Sequence, residues 1–452
     1  MNKMELLLNA VDANRALMDA AEDYLWKNPE TGYREWKATA YLEKEYEKLG
    51  YTLTRAGNIP GFVTDLDTGR PGPTVLVLAE LDSLLCADHP DADPETGAVH
   101  ACGHSAQGAA LLGVAAALKA PGALDGLSGK IRLCMVPAEE LLEIGYREGL
   151  RRQGIIRYFG GKAEFLYRGL FDGVDLCFMI HQGTRDNCKF DINSGNNGCM
   201  VKNIAFHGVA AHAGGSPDKG INALYAANLA LNAINALRET FVDDDHIRVH
   251  PIITKGGDAV NAIPNTVMLE SYVRGRTQEA IALNNRKVNR AVCGAAAAMG
   301  ANVEICDRPG YLPLINEPNL AKLMVDAMAC VVPREEIEVS DRWTTGCTDM
   351  GDMSAIMPAV HPHVAGSKGH GHGADYFVVD NERAIYNSAK AQTALLELLL
   401  SDGAKNAKFI LENAHPLYTR EEYFKVLDRE TMDRAAAIDY SNDGKAVLDF
   451  AD

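Results

Sequence analysis

A chain of 452 residues is too long for one ordinary hydrophobic core, so two or three domains are expected. Apolar residues make up 47% and charged residues 23%, with no low-complexity tract, which is the balance of a globular protein. The net charge of −17, from 44 basic against 61 acidic residues with no dense Lys/Arg run, argues against nucleic acid or an anionic membrane as partner.

The first ten residues are an apolar run interrupted by Glu5 and do not read as a signal peptide. No stretch reaches the roughly 18 apolar residues that span a bilayer. Ten cysteines without framework spacing fit reduced thiols, and these features together point to the cytoplasm.

Residues 3–50 read as two amphipathic helices broken at Asn28-Pro29-Glu30-Thr31-Gly32, with Leu42, Tyr46 and Leu49 at helical spacing. Strand patterns follow at 61–65 and at 74–79, the second nearly all apolar, as in a strand covered on both faces. It runs into Glu80-Leu81-Asp82-Ser83, and carboxylates at the carboxyl end of a buried strand sit where open α/β sheets place their sites. Taken alone, Asp82 reads more readily as a loop cap.

Val99-His100-Ala101-Cys102-Gly103-His104 opens a small-residue helix that continues to Leu118. Thiolate and neutral imidazole are both good ligands for a transition metal, and glycine permits the tight backbone between them. The alternative is a buried small hydrophobe beside a hydrogen-bonded histidine. A third strand, 130–136, closes in Pro137-Ala138-Glu139-Glu140. Adjacent carboxylates in extended chain point to opposite sides, so one suits a metal and its neighbour a substrate. Two solvated acids at a helix start are the competing explanation. A helical stretch carrying Arg147, Arg151, Arg152 and Arg157 leads to a fourth strand, 174–180, which ends in His181.

Past Gly195-Asn196-Asn197-Gly198 the pattern changes. A strand at 200–206, the segment Ala211-His212-Ala213, a helix over 219–239, strands at 247–253 and 267–274, a helix over 277–298 and a strand at 302–306 follow in turn. The turn carrying Asn261 separates the two middle strands. This β-α-β-β-α-β order is that of a ferredoxin-like sandwich, inserted over 196–308 into a larger α/β domain made of 1–195 and 309–452. After 308 come the polar turn Thr348-Asp349-Met350-Gly351-Asp352, the run Gly369-His370-Gly371-His372-Gly373-Ala374-Asp375-Tyr376, an amphipathic helix over 381–401 and a helical tail.

With Cys102, His104, Glu139-Glu140, His181, His212 and His372 in this order, the chain resembles the amidohydrolases of peptidase family M20. It is most similar to the Cys-Gly-His branch of that family, which includes indole-acetyl-amino-acid and hippurate hydrolases and the aminobenzoyl-glutamate hydrolase subunits. The resemblance implies a catalytic domain with a central mixed sheet flanked by helices, and a lid and dimerisation domain inserted in it. It also implies two divalent ions, zinc or manganese with cobalt possible, held by Cys102, His104, Glu140, His181 and His372. His370 is the reserve for the last ligand. Glu139 is implied as general base for a water activated between the ions, and Asp82 as the group orienting a ligand. His212 and Asn261 are implied to reach the substrate carbonyl or carboxylate, in relatives often across a dimer interface. Arg274 is implied to hold a carboxylate, unless it is a strand-edge arginine in solvent. The expected activity is hydrolysis of N-acyl or N-aroyl amino acids by a homodimer. A dipeptidase, a carbamoyl-amino-acid hydrolase and a metal-poor binding subunit are the alternatives. Ser105 and Gln107 depart from the branch, which carries Asp or Asn after the histidine and a further His two residues on.

Overall fold

The central sheet of the computed structural model, which describes residues 2–439 and 445–448, is built from the apolar runs read above. These are β1 (Phe62–Asp67), β2 (Thr74–Glu80), β3 (Lys130–Val136) and β4 (Leu176–Phe178). Their spatial order is β1-β3-β2-β4, with the short strands Thr54–Arg55 and Ala359–Val360 on the two edges. β2 runs parallel to β3 and β4, and Ala359–Val360 runs parallel to β4, whereas β1 is antiparallel to β3. All of β2 except Thr74 is buried, as both faces are covered. Parallel strands end on the same edge, so the segments after β2, β3, β4 and Ala359–Val360 emerge side by side.

Between β2 and β3 runs α1 (His104–Leu118), and every one of its residues is buried. A helix that is apolar all round can only be a core helix. It packs on β2 and against the helices Arg15–Lys27 and Ser388–Asn413. Gly113 lets the first of these close in, because a Cβ there would collide with the Met18 thioether.

Three helices, Lys3–Asp12, Arg15–Lys27 and Trp36–Lys48, stand where two were expected. The additional break falls at Asn14, whose side-chain amide takes the Ala10 carbonyl and so competes with the helical ladder.

The second unit follows the expected order: β5 (Gly198–His207), α2 (Ala223–Ala236), the short strand Ile252–Lys255, β6 (Thr266–Gly275), α3 (Gln278–Ala298) and β7 (Asn302–Tyr311). β5 lies between β6 and β7 and is antiparallel to both. Burial alternates along β6, since the helices cover one face of this sheet. α2 begins at Ala223 because the Asn222 side chain caps it by accepting from the Leu224 and Tyr225 amides, with Pro217–Lys219 left as a separate turn.

The end of the chain corrects the expected helical tail. After the helix Arg420–Glu430, β8 (Met432–Asp439) pairs antiparallel with β7, and Lys445–Leu448 pairs with β8. The alanine-rich β8 has little intrinsic strand preference; the open edge of β7 supplies the pairing. No helix among the described residues is long and apolar enough to cross a membrane, and all ten cysteines are free.

Candidate metal centre

The site forms where the strand-end segments meet the start of α1. Gly103 precedes that helix with φ +88°, and a Cβ there would strike the Tyr376 hydroxyl and the Gln182 side chain. This left-handed residue separates Cys102 from His104 and leaves both facing the sheet edge. Cys102 Sγ lies 3.4 Å from His181 Nε2. His104 Nδ1 is 2.8 Å from the Asp82 carbonyl oxygen and 3.2 Å from Asp82 Oδ1. A carbonyl can only accept, so Nδ1 carries the proton and Nε2 keeps its lone pair. The same argument holds for His181, whose Nδ1 is 2.7 Å from the Gln182 carbonyl oxygen.

His372 brings its Nε2 to 3.2 Å from Glu140 Oε1. Its backbone is held at φ +65°, with its amide donating to the Ala101 carbonyl. Such a conformation costs of order 1 kcal/mol or more in a non-glycine residue and persists only where its surroundings enforce it. His370 is exposed and bonds Asp375 at 2.9 Å, away from the cluster. Ligand atoms of Cys102, His104 and His181 lie within 4.8 Å of one another, as do those of Cys102, Glu140 and His372, and those of His104, Glu139 and Glu140.

The turn carrying the two glutamates differs from the extended chain expected. Ala138 has φ +60°, which bends the backbone and lets both carboxylates converge on the cluster. Three buried groups grip this bend. Glu35 accepts from the Ala138 amide at 2.7 Å, and Asp82 Oδ2 accepts from the Glu140 amide at 2.7 Å. Arg147, only 1% exposed, donates to the carbonyls of Ala138, Phe159 and Glu140. In the sequence it is one of four arginines in a helical stretch, and nothing in that pattern marks it as a clamp.

Behind the glutamates, the buried Lys162 ammonium bonds Glu80 at 2.6 Å and also Asp349. Gln107 donates to Glu80 at 3.1 Å, and Ser105 donates to Glu22 at 3.3 Å. The two residues that depart from the Cys-Gly-His branch therefore have work here, and a carboxylate reaches Ser105 from the helix Arg15–Lys27. Lys162, Glu22, Glu80 and Asp349 were not singled out as site residues. The pairs Lys162–Glu80, Lys162–Asp349 and Glu22–Ser105 join residues 80 or more apart, which no local spacing reveals.

The charges interleave. Burial and Glu140 push the Cys102 thiol up, but His181 and His104 outweigh them and bring it down to about 6. Against its own burial, Glu140 is lowered to about 2, chiefly by His372, and Glu140 in turn raises His372 to about 11. Glu139 is held well above the usual carboxylate range by burial, then by Glu80 and Glu140. His104 Nε2, buried 3.2 Å from Glu80 Oε2, and Glu140 Oε1, buried 3.2 Å from His372 Nε2, have no well-aligned hydrogen bond among the described residues. Buried polar atoms left poorly satisfied cost about 1–3 kcal/mol each. A sulfur, three imidazoles and a carboxylate converging around them fit divalent transition-metal ions well.

A cavity of about 560 Å³ opens from this cluster, walled by Arg274, Arg185, Asp191, His361 and His363 among others. The half-buried Arg274 side chain forms no ion pair among the described residues and lies 5.2 Å from the Tyr272 ring centroid. The rings of His181, His361 and His363 follow one another at 5.6–5.8 Å. His361 is 3% exposed, has no partner for either ring nitrogen, and burial followed by His181 keeps it neutral. The signal for His361 was available and missed: it too stands directly after an apolar strand, Ala359–Val360, with His363 opening the next short strand.

His212 and Asn261 lie together, with the Ala213 amide donating to the Asn261 carbonyl and His212 Nδ1 accepting from the amides of Gly214 and Gly215. Both are exposed on the second unit, and neither is on the cavity wall of this chain.

The sequence pattern of peptidase family M20/M25/M40 matches residues 77–398. The chain is 32% identical to an indole-3-acetyl-aspartic acid hydrolase of Enterobacter agglomerans over 261 residues, which is 55% of each chain, so it spans about half the length of that relative. It is 27% identical to the Xaa-Arg dipeptidase of Homo sapiens over 386 residues, 80% of each chain. Among solved structures, a putative aminohydrolase from methicillin-resistant Staphylococcus aureus superposes with a TM-score of 0.67 at 21% identity, covering 87% of this chain and 99% of the other. A dinuclear metal-binding peptidase of the M20 family from Bacillus subtilis gives 0.62 at 19% identity, covering 86% and 99%. At these identities the structural matches speak for the fold alone.

Proposed function

The chain belongs to peptidase family M20/M25/M40 and is a hydrolase of amide bonds, and from that premise we propose that it cleaves N-acyl or N-aroyl amino acids with a pair of divalent ions. Cys102, His104, Glu140, His181 and His372 hold the ions, zinc or manganese. Bound there, the ions supply Lewis acidity, lowering the pKa of water at the site toward about 7 and polarising the substrate carbonyl.

The protein groups do the rest. Glu139 takes the proton of the attacking water and returns it to the leaving nitrogen, a task suited to a carboxylate whose surroundings favour its protonated form. Asp82 fixes the His104 tautomer and, through the Glu140 amide, the turn that presents both glutamates. Arg274 binds the carboxylate of the amino-acid half, since an unpaired guanidinium on a cavity wall matches that group in charge and fork geometry. His212 and Asn261 serve the cavity of a second copy, His212 donating to the developing oxyanion, a contact worth about 3 kcal/mol. A homodimer in a reducing, cytoplasmic setting accords with this and with ten free cysteines.

The observation that carries the reading is the convergence of five side chains (Cys102, His104, Glu140, His181 and His372), offering sulfur, nitrogen and oxygen ligands, beside a cavity bearing Arg274. A second reading, a dipeptidase, is favoured by Asp191, a carboxylate on the same wall able to meet a free amino terminus. The test is a panel of N-acyl and N-aroyl amino acids, ureido acids and dipeptides, assayed with added zinc or manganese, together with elemental analysis. Preference for dipeptides moves the assignment to the second reading. Less than one tightly held ion per chain removes both and leaves a binding subunit.

A further inference from the structure

Two thiols in the wall of the reaction cavity have no part in the chemistry above. Cys199 is the second residue of β5, and Cys347 lies on the loop between the short strand Trp343–Thr344 and the helix Met350–Ile356. Both line the cavity. The Cys347 sulfur lies 3.5 Å from the Gly198 carbonyl oxygen and against the Cys199 sulfur, and its single proton can be given to either. Just before them the chain crosses from the main body into the second unit: Gly195–Asn196 pairs with Leu314–Ile315 on one side and with Trp343–Thr344 on the other.

We propose that Cys199 and Cys347 form a reversible disulfide that staples the second unit to the main body across the cavity wall. A hydroperoxide is the oxidant. The Cys199 thiol attacks one peroxide oxygen, giving a sulfenic acid and one water. The Cys347 thiol then attacks the sulfenic sulfur, the S–S bond forms, and a second water leaves. Two thiols and one hydrogen peroxide thus become one disulfide and two waters, the two sulfurs supplying the two electrons.

The surroundings set the roles. The hydrogen bond from Cys347 and then the Arg274 guanidinium hold the Cys199 thiol below its usual range in spite of burial, as a peroxide-reactive thiol requires. Burial and the bond to Cys199 push Cys347 the other way, which makes it the resolving thiol. Tethering Cys347 to the start of β5 restrains the crossing segment 195–199, on which any movement of the second unit over the cavity depends.

The full chain, loaded with zinc or manganese, is treated with hydrogen peroxide, its remaining thiols are alkylated, and it is digested without reductant. A peptide joining residues 199 and 347 is expected, lost on adding dithiothreitol. Amide hydrogen exchange across 195–200 and 343–349 is expected to slow by about tenfold in the linked form and to recover on reduction. Cys347→Ser is expected to show neither change, and Cys199→Ser repeats the control should the first variant fold poorly. The proposal is overturned if both thiols remain open to alkylation at peroxide levels that oxidise Cys102. It is equally overturned if the linked chain exchanges as fast as the reduced one. Neither readout uses turnover, so the outcome is independent of which amide the enzyme cleaves.

Discussion

At the scale of single residues, the glutamate pair separates into two jobs that a conservative change can tell apart. Glu140 faces His372, while Glu139 sits against Glu80 and Asp349 near Lys162. Glu139→Gln keeps the shape and every ligand, so turnover should fall by about 10²–10⁴-fold while the metal content measured by elemental analysis stays unchanged. Near-normal turnover would remove Glu139 as base. Asp82→Asn leaves the carbonyl contact to His104 but weakens the side chain's hold on His104 and on the Glu140 amide, and metal affinity should drop by about 10–100-fold in a chelator competition.

Glu22 gives a pH-dependent prediction. Burial raises it from 4.5 to about 7, with Asp23 and Asp19 adding to the effect and Ser105 opposing it. Between those values the folded chain holds a proton that the unfolded chain has lost. The stability this contributes is present in full below pH 4.5 and is lost as pH rises through about 7. Glu22→Gln keeps an acceptor for Ser105 without a charge, so in denaturant unfolding the variant should gain stability over the parent at pH 8, by at most about 3 kcal/mol, and not at pH 5.

At the scale of elements, the site depends on a buried helix that begins a left-handed glycine away from Cys102. α1 is made of small residues so that its neighbours can approach, most closely at Gly113. Gly113→Ala offers better helix propensity, worth about 1 kcal/mol, but drives a methyl into the Met18 thioether. Overpacking of about 1–3 kcal/mol exceeds that gain, so thermal stability should fall, and pairing the change with a smaller residue at position 18 should recover part of it. A melting temperature above that of the parent would mean that Met18 moves aside freely. The turn after β3 shows why element-level reading stops short of the site: its run of residues is polar and short, and only the grip of Glu35, Asp82 and Arg147 imposes the bend at Ala138.

At the scale of the whole molecule, one chain gathers Cys102, Glu140, His181, His372 and Arg274 around the cavity but leaves His212 and Asn261 on an exposed face. If two copies complete each other's sites, a chain lacking Glu139 and a chain lacking His212 should both be inactive alone. Mixed under conditions that let subunits exchange, they should regain a measurable fraction of the parent's activity. Failure to complement, with subunit exchange verified by mass, would confine the reaction to a single chain.

Much of this was legible in the sequence. Strand ends, helix periods and the β-α-β-β-α-β order are local patterns of apolar residues, and they placed Asp82, Glu139, Glu140 and His181 correctly just past buried strands. Ligand chemistry is a property of residue type, so Cys102 and His104 could be singled out before any coordinates, and the resemblance to family M20 added His372. Only the tertiary structure decided which groups meet: His372 at Glu140 with His370 outside, Glu22 at Ser105, Lys162 between Glu80 and Asp349, Arg147 as an interior clamp, and β8 on the edge of β7. Those contacts join residues far apart along the chain. Their formation depends on how layers pack and on the cost of leaving buried charges and sheet edges unpaired, and neither quantity is carried by any single stretch of sequence.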